Sequence, residues 1–229
     1  MIRPQVILGA LAMAGVVCAS AVFAQSGAAS SLAAVEMREG ARMSGPSAFY
    51  ALCAQTPEDC PAPRAALTPD RVRLDEAAAE AIMSVNLTVN RAIQPISDAE
   101  RHGKSDVWEF PRDGVGDCED YVIAKRAGLL AMGFPESALL IGVALGVDTP
   151  YHAVLLVRTD SGEIVLDNLT DRVSPWRESG LTFVARQSAV DPRHWTRVER
   201  PTPSLAEEGP VTNVSSTPMR VIRPPERFR

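Results

Sequence analysis

Apolar positions change rhythm several times along this chain. From Val6 to Ala21 they are almost continuous, and from Gln25 to Arg64 Ala, Ser and Pro dominate without a period. Leu74, Ala78, Ile82, Val85 and Val89 then recur at the spacing of one helix face. Ile123, Ala127 and Leu130 line a second helical face, with Ala124, Gly128 and Ala131 beside them, small enough to let that helix pack closely on a sheet. Gly133 and Pro135 end it. Three extended apolar runs follow, at 138–145, 151–159 and 163–169.

Local signals turn these rhythms into elements. Thr68-Pro69-Asp70 reads as a helix start, with a threonine cap, proline at the first helical position and an acid in the first turn. That helix must stop before Pro95. Residues 95–116, with turn residues and Trp108, form an ordered loop that leads to Cys118. The second helix runs from about Cys118 to Met132, with Asp117 as its cap and Asp120 in its first turn. Thr159-Asp160-Ser161-Gly162 is a hairpin loop between the last two extended runs. Residues 183–195 add another strand and an edge, and from about Arg200 the chain is Pro-, Ser- and charge-rich. The elements describe an α+β domain over residues 66–198, with a loosely attached arm at 25–65 and a disordered tail at 199–229.

The apolar start changes the picture of where the chain works. Arg3, the run to Ala21 and Val22-Phe23-Ala24 before Gln25 make residues 1–24 a secretory signal peptide. Cys18 would carry the lipid of a lipoprotein, but Val17 stands where a small residue precedes such a cysteine, which disfavours that reading. Removing the leader leaves about 205 of the 229 residues, a length for one domain. No second apolar stretch is long enough to span a bilayer, so no membrane span is expected after cleavage. The net charge of −5 and the lack of a Lys/Arg cluster argue against nucleic acid as a partner. Of the cysteines that remain, Cys53 and Cys60 lie close in a Pro-containing loop and can pair in an oxidising compartment. Cys118 is then the odd thiol, either a nucleophile or an inert core residue.

The chemistry concentrates around Gly116-Asp117-Cys118-Glu119-Asp120-Tyr121. A thiol at a helix N-terminus feels the positive end of the dipole and the first free N–H groups, which favour thiolate and an oxyanion. Asp117, Glu119 and Asp120 oppose that unless their charge is engaged elsewhere. If Arg158 pairs with Glu163, Val154 lies opposite Asp167. His152 then shares a face with Asp167 one diagonal step away, roughly 7–8 Å between backbones. A slip of one residue sends the two side chains to opposite faces. Read singly, His152 is a core histidine and Asp167 a strand-terminal acid; in order with Cys118 they make the layout of a thiol hydrolase or acyl transferase.

The stretches Val89-Asn90-Arg91, Ile96-Ser97-Asp98, Trp108, Arg112-Asp113-Gly114, Gly116 to Tyr121, Ala124-Lys125, His152 to Leu155 and Val165 to Leu169 together resemble the bacterial transglutaminase-like cysteine proteinases. The resemblance covers about Thr68 to Trp176. It implies a papain/transglutaminase-like fold, with the cysteine at a helix N-terminus packed on an antiparallel sheet that carries the histidine and the aspartate. It also implies a catalytic triad: Cys118 as nucleophile, His152 as general base and then acid, Asp167 orienting the imidazole. Calcium is implied too, with Asp117 and Glu119 among its ligands. For the adhesin-cleaving branch of the family it implies a periplasmic protease, a cell-surface adhesin as protein substrate, and control by a membrane receptor responsive to a cyclic dinucleotide. The Cys53/Cys60 loop and the Pro-rich tail depart from that branch, so membership outside it stays open. Two rival functions keep the fold: a transglutaminase that passes the acyl group to an amine, and a binding module without catalysis.

Overall fold

The structure is a computed structural model that describes residues 36–60, 70–146 and 151–199. Its strands are β1 (Glu39–Met43), β2 (Gln94–Pro95), β3 (Val115–Gly116), β4 (Leu139–Leu145), β5 (Tyr151–Thr159), β6 (Gly162–Leu166), β7 (Ser174–Pro175), β8 (Phe183–Gln187) and β9 (Trp195–Val198). Its helices are α1 (Ser47–Gln55), α2 (Glu76–Ala92), α3 (Asp98–His102) and α4 (Cys118–Ala131). Seven strands form one antiparallel sheet in the order β1-β9-β8-β4-β5-β6-β7, and β2 and β3 form a separate parallel pair. No helix among the described residues is long and apolar enough to cross a membrane.

The apolar runs read as near-continuous because both faces of the central strands are covered. Leu139, Ile141, Leu155, Val157, Ile164 and Leu166 point to one face, where they meet Phe49 of α1, Ile82 and Val85 of α2, and Val122, Ile123 and Leu129 of α4. Leu140, Ala144, Val154, Leu156 and Val165 point to the other, where Met37, Phe183 and Ala189 cover them. The alternation is the two-residue period of a strand, with neither side left to water. The small Gly128 of α4 faces α2 rather than the sheet: a Cβ added there would lie 3.2 Å from Val85.

The β5–β6 hairpin has the register expected from the sequence, with Arg158 opposite Glu163 and Leu155 opposite Leu166. Its turn is tighter than expected, because Thr159 still pairs with Gly162 and only Asp160 and Ser161 lie outside the ladder. Gly162, at φ 99°, supplies the left-handed conformation this turn needs.

Two expectations are corrected. Residues 39–55 are an integral part of the domain rather than a loose arm. β1 pairs with β9, and Phe49 packs edge-on against Trp108 and Trp195 at ring separations of 5.8 Å and 5.4 Å. Burying such a side chain contributes about 1.5–3 kcal/mol, enough to dock an Ala-rich segment that has little helical periodicity of its own. The helix expected from Thr68 is α2, which begins at Glu76, capped by Asp75 through a 3.0 Å hydrogen bond from the Ala78 N–H. Val72 forms a parallel bridge with Thr159, and the Arg158 side chain donates to the Asp70 carbonyl at 3.0 Å, so 70–74 is held extended along the end of β5. Thr68, Pro69, the leader at 1–24 and the tail from residue 200 lie outside the described residues.

Cys53 and Cys60 form a disulfide, as the cysteine spacing led us to expect, with Cα atoms 4.5 Å apart. Asp59 beside it holds Arg112 through a two-pronged ion pair at 2.8 Å and 3.0 Å, tying this loop to the segment that leads into α4. Among the described residues Cys118 is the free cysteine.

Candidate active site

The start of α4 is fixed from below and behind. Gln94 N–H donates to the Gly114 carbonyl at 2.8 Å and Ile96 N–H to the Gly116 carbonyl at 3.1 Å, so the chain leaving α2 grips the chain entering α4. The Tyr121 hydroxyl donates to the Ile93 carbonyl at 2.6 Å and locks the first turn to the same corner. Gly116 is needed for the approach: a Cβ there would stand 2.7 Å from Cβ of Asp120. Asp120 in turn accepts the Glu109 N–H at 2.9 Å and the Asp117 N–H at 3.3 Å. Asp120 therefore braces the loop carrying Trp108 while it caps the helix.

Cys118, the first residue of α4, faces β5. Its sulfur accepts the Ala153 N–H at 3.4 Å, and the thiol donates to Glu119 Oε2 at 3.0 Å. Burial, reinforced by the Glu119 charge, pushes the thiol pKa up despite the Ala153 amide, so the dipole of α4 does not decide the protonation state by itself.

His152 and Asp167 meet as the hairpin register requires: Nε2 lies 2.8 Å from Asp167 Oδ1, and both side chains are buried. Asp167 stands one residue beyond the end of β6, and the same Oδ1 accepts the Leu169 N–H at 3.0 Å. Burial pulls the Asp167 pKa up, but hydrogen bonds from His152 and Leu169, with the charges of His152 and Lys125, outweigh it and hold the carboxyl below its ordinary value. An ionised carboxylate only accepts, so in the neutral imidazole this contact selects the tautomer with the proton on Nε2, whose lone pair is on Nδ1.

The acids around the cysteine include one that the sequence reading did not single out as a site residue. Oxygens of Asp98, Asp117 and Glu119 lie within 4.8 Å of one another. Asp98 opens α3, whose cap is the box formed by Ser97 and Glu100. Its N–H donates to Asp117 Oδ2 at 3.2 Å, and its own carboxylate accepts the Val107 N–H. The available signal was the Ser97-to-Glu100 capping box, which places Asp98 in the first turn of a helix, but nothing local aims that turn at a segment nineteen residues on. Asp117 is the N-cap residue of α4, and the capping contact that holds it is the one from its own N–H to the Asp120 carboxylate at 3.3 Å.

Burial together with the Asp117 charge pushes Glu119 up to about 9. Burial, helped by Asp117 and Asp98, takes Asp120 to about 8. Burial raises Asp98 as well. Asp117 Oδ1 is buried without a hydrogen-bond partner. Oxygen-only donors, crowded negative charge and an orphaned carboxylate oxygen together fit a hard divalent cation such as calcium.

The family model of the bacterial transglutaminase-like cysteine proteinases, BTLCP, matches residues 39–202. No curated protein matches the chain. Among solved structures, calcium-bound LapG of Legionella pneumophila is 26% identical over 51% of this chain and 68% of that chain, with a TM-score of 0.43. A second LapG structure from that organism is 28% identical over 51% and 66%, with a TM-score of 0.42. An EGTA-treated form is 28% identical over 50% and 64%, with a TM-score of 0.41. The matched region thus spans about two thirds of the LapG chains.

Proposed function

The chain belongs to the bacterial transglutaminase-like cysteine proteinases, and from that premise we propose that it is an exported endopeptidase using Cys118, His152 and Asp167 on a protein substrate. The observation that carries the reading is the 2.8 Å His152–Asp167 pair on the strand whose next amide touches the Cys118 sulfur at the start of α4. Nε2 of His152 is committed to Asp167, so Nδ1 takes the thiol proton as the sulfur attacks the scissile carbonyl carbon. Backbone N–H groups at the N-terminus of α4 stabilise the oxyanion. His152 then returns the proton to the leaving amine as the C–N bond breaks, giving a thioester. Water, deprotonated by His152, attacks that thioester, the C–S bond breaks as the sulfur takes the proton back from His152, and the product leaves as a carboxylic acid.

Asp98, Asp117 and Glu119 would hold calcium, whose charge would offset the negative field that now burdens the thiol. The periplasm as its place rests on the apolar leader of the sequence; a surface protein of the adhesin type as substrate and a membrane receptor as control rest on the resemblance to the adhesin-cleaving branch.

The test compares the exported proteins of cells carrying the native chain with those of cells carrying Cys118→Ala. One exported protein should remain uncut in the variant, and the purified native chain should cut it in vitro. Identical profiles, or cleavage by folded Cys118→Ala, would remove the triad from the account. Incorporation of a labelled amine in place of hydrolysis would instead make the enzyme an acyl transferase.

A further inference from the structure

Asp167 is the member of the site that the sheet does not hold. The last pair of the β5–β6 ladder is Leu155 with Leu166, and β7 pairs with β6 only at Ile164 and Val165. The carboxylate that orients His152 therefore sits on the first residue of a loop, and the direction of Oδ1 depends on the backbone from 167 to 171.

That backbone is gripped by two asparagines one turn apart on α2. Asn90 Nδ2 shares its two hydrogens among three acceptors, the Asp167 carbonyl at 3.1 Å, the Thr170 carbonyl at 3.1 Å and Asp171 Oδ1 at 3.2 Å. Asn86, fully buried, donates through Nδ2 to the Thr170 carbonyl at 3.3 Å and the Asp171 carbonyl at 3.2 Å. Every one of these partners is an oxygen, so the orientation of both amides follows from the contacts. A main-chain carbonyl leaving a sheet needs a donor from somewhere; for Asp167 that donor is Asn90.

We propose that Asn90 is a positioning residue for the reaction, holding Asp167 in line with His152 by taking over the hydrogen bond that β6 no longer receives from the sheet. Asn90 touches no reacting atom. It fixes the carbonyl of Asp167 while the Leu169 N–H fixes Oδ1 from the other side, which leaves the carboxylate one direction in which to meet Nε2. Asn86 closes the far end of the same loop. Orientation errors of about 1 Å at a catalytic group cost about a hundredfold in rate, so a single loosened carbonyl is enough to be read.

The inference rests on the proteolytic reading above, and the experiment separates the two. The rate of alkylation of Cys118 by iodoacetamide is measured against pH, at fixed calcium, for the native chain, His152→Ala, Asp167→Ala and Asn90→Ala, with circular dichroism to verify folding. The native chain should show an arm of reactivity at low pH that vanishes in His152→Ala and is displaced in Asp167→Ala. Folded Asn90→Ala should move about tenfold toward the Asp167→Ala profile. A profile identical to the native one overturns the role of Asn90 and leaves the proteolytic reading intact. Absence of a His152-dependent arm in the native chain overturns both. If Asn90→Ala does not fold, Asn90→Gln keeps the donor but displaces it by one methylene. Its profile then decides, shifted toward Asp167→Ala in support or native-like against.

Discussion

On the sheet side of the site the aspartate is matched: Asp167 Oδ1 receives His152 and Leu169, and the Asp167 carbonyl receives Asn90. On the helix side, Asp98, Asp117 and Glu119 crowd within 4.8 Å, Asp117 Oδ1 has no partner, and the Cys118 thiol gives its hydrogen bond to Glu119. Asp167 is held below its ordinary pKa, whereas Asp98, Glu119 and Asp120 are pushed above theirs. Both sides are buried, so burial does not explain the difference. The neighbours do: His152, the Leu169 amide and the Lys125 charge surround one carboxylate, while Asp98, Asp117 and the acids beside them add negative charge to one another. Asp120 makes the point: it accepts two backbone amides and is still raised, because it is buried beside Asp117 and Asp98. The hairpin orients the imidazole by register; the acids beside the cysteine are relieved either by taking up protons, as the raised Glu119 and Asp120 indicate, or by the cation proposed above.

The comparison breaks most visibly at His152. His152→Ala removes the base and should lower substrate hydrolysis by about 10²–10⁴-fold, with the far-UV circular dichroism unchanged. Asp167→Ala leaves the base but frees its ring, so its loss should be smaller than that of His152→Ala and larger than that of Asn90→Ala. Equal rates for native chain and Asp167→Ala would mean that the tight hydrogen bonding of the sheet side serves stability only.

The helix side is sharpened by titrating calcium into chelator-treated protein and following the melting temperature. Native protein should be stabilised by about 2.7 kcal/mol when calcium reaches a hundred times its Kd. Asp98→Asn and Asp117→Asn should each weaken that response severely. Asp98→Asn should also raise the melting temperature in chelator, because one charge leaves a crowded cluster. A native chain indifferent to calcium would leave the acids without a cation and relieved by protons alone.

The parts of this site differ in how far the sequence could reveal them, and range is the reason. The His152–Asp167 pair was readable because fifteen residues of regular hairpin carry register by simple alternation. The start of α4 was readable because Gly116 and the acids after it are local signals. Asp98 was not identified as a ligand, since only the β2–β3 pairing and the loop from Val107 to Glu109 bring α3 under α4. The start of α2 was misplaced because the cue at Thr68-Pro69 is local, whereas the Val72–Thr159 bridge that holds the chain extended is not. The segment at 39–55 looked loose because Phe49 and Leu52 reveal their partners only once Trp108 and Trp195 are folded around them.

The smallest expected effect on the site, and the finest test of the contrast, belongs to Lys125. It lies two turns along α4 from Cys118, is buried, and places its ammonium 5.9 Å from the centre of the Tyr121 ring. Burial lowers its pKa to about 7, against the pull of Asp167 and Asp171. The folded value lies below the unfolded 10.5, so between these limits the unfolded chain binds more protons and Lys125 makes stability rise with pH. Glu119 and Asp120, with folded values raised to about 9 and about 8, work in the opposite direction as pH increases toward those values. The informative quantity is therefore the difference between native chain and Lys125→Met, a change that keeps the aliphatic stem. From about pH 7 to about pH 10 the native chain should gain stability relative to the variant, while hydrolysis falls only a few-fold because His152 and Leu169 still hold Asp167. Parallel stability curves for the two proteins would show that the ammonium is not desolvated. A loss of activity as deep as that of Asp167→Ala would make Lys125, rather than the hydrogen bonds of the sheet side, the group that keeps Asp167 ionised.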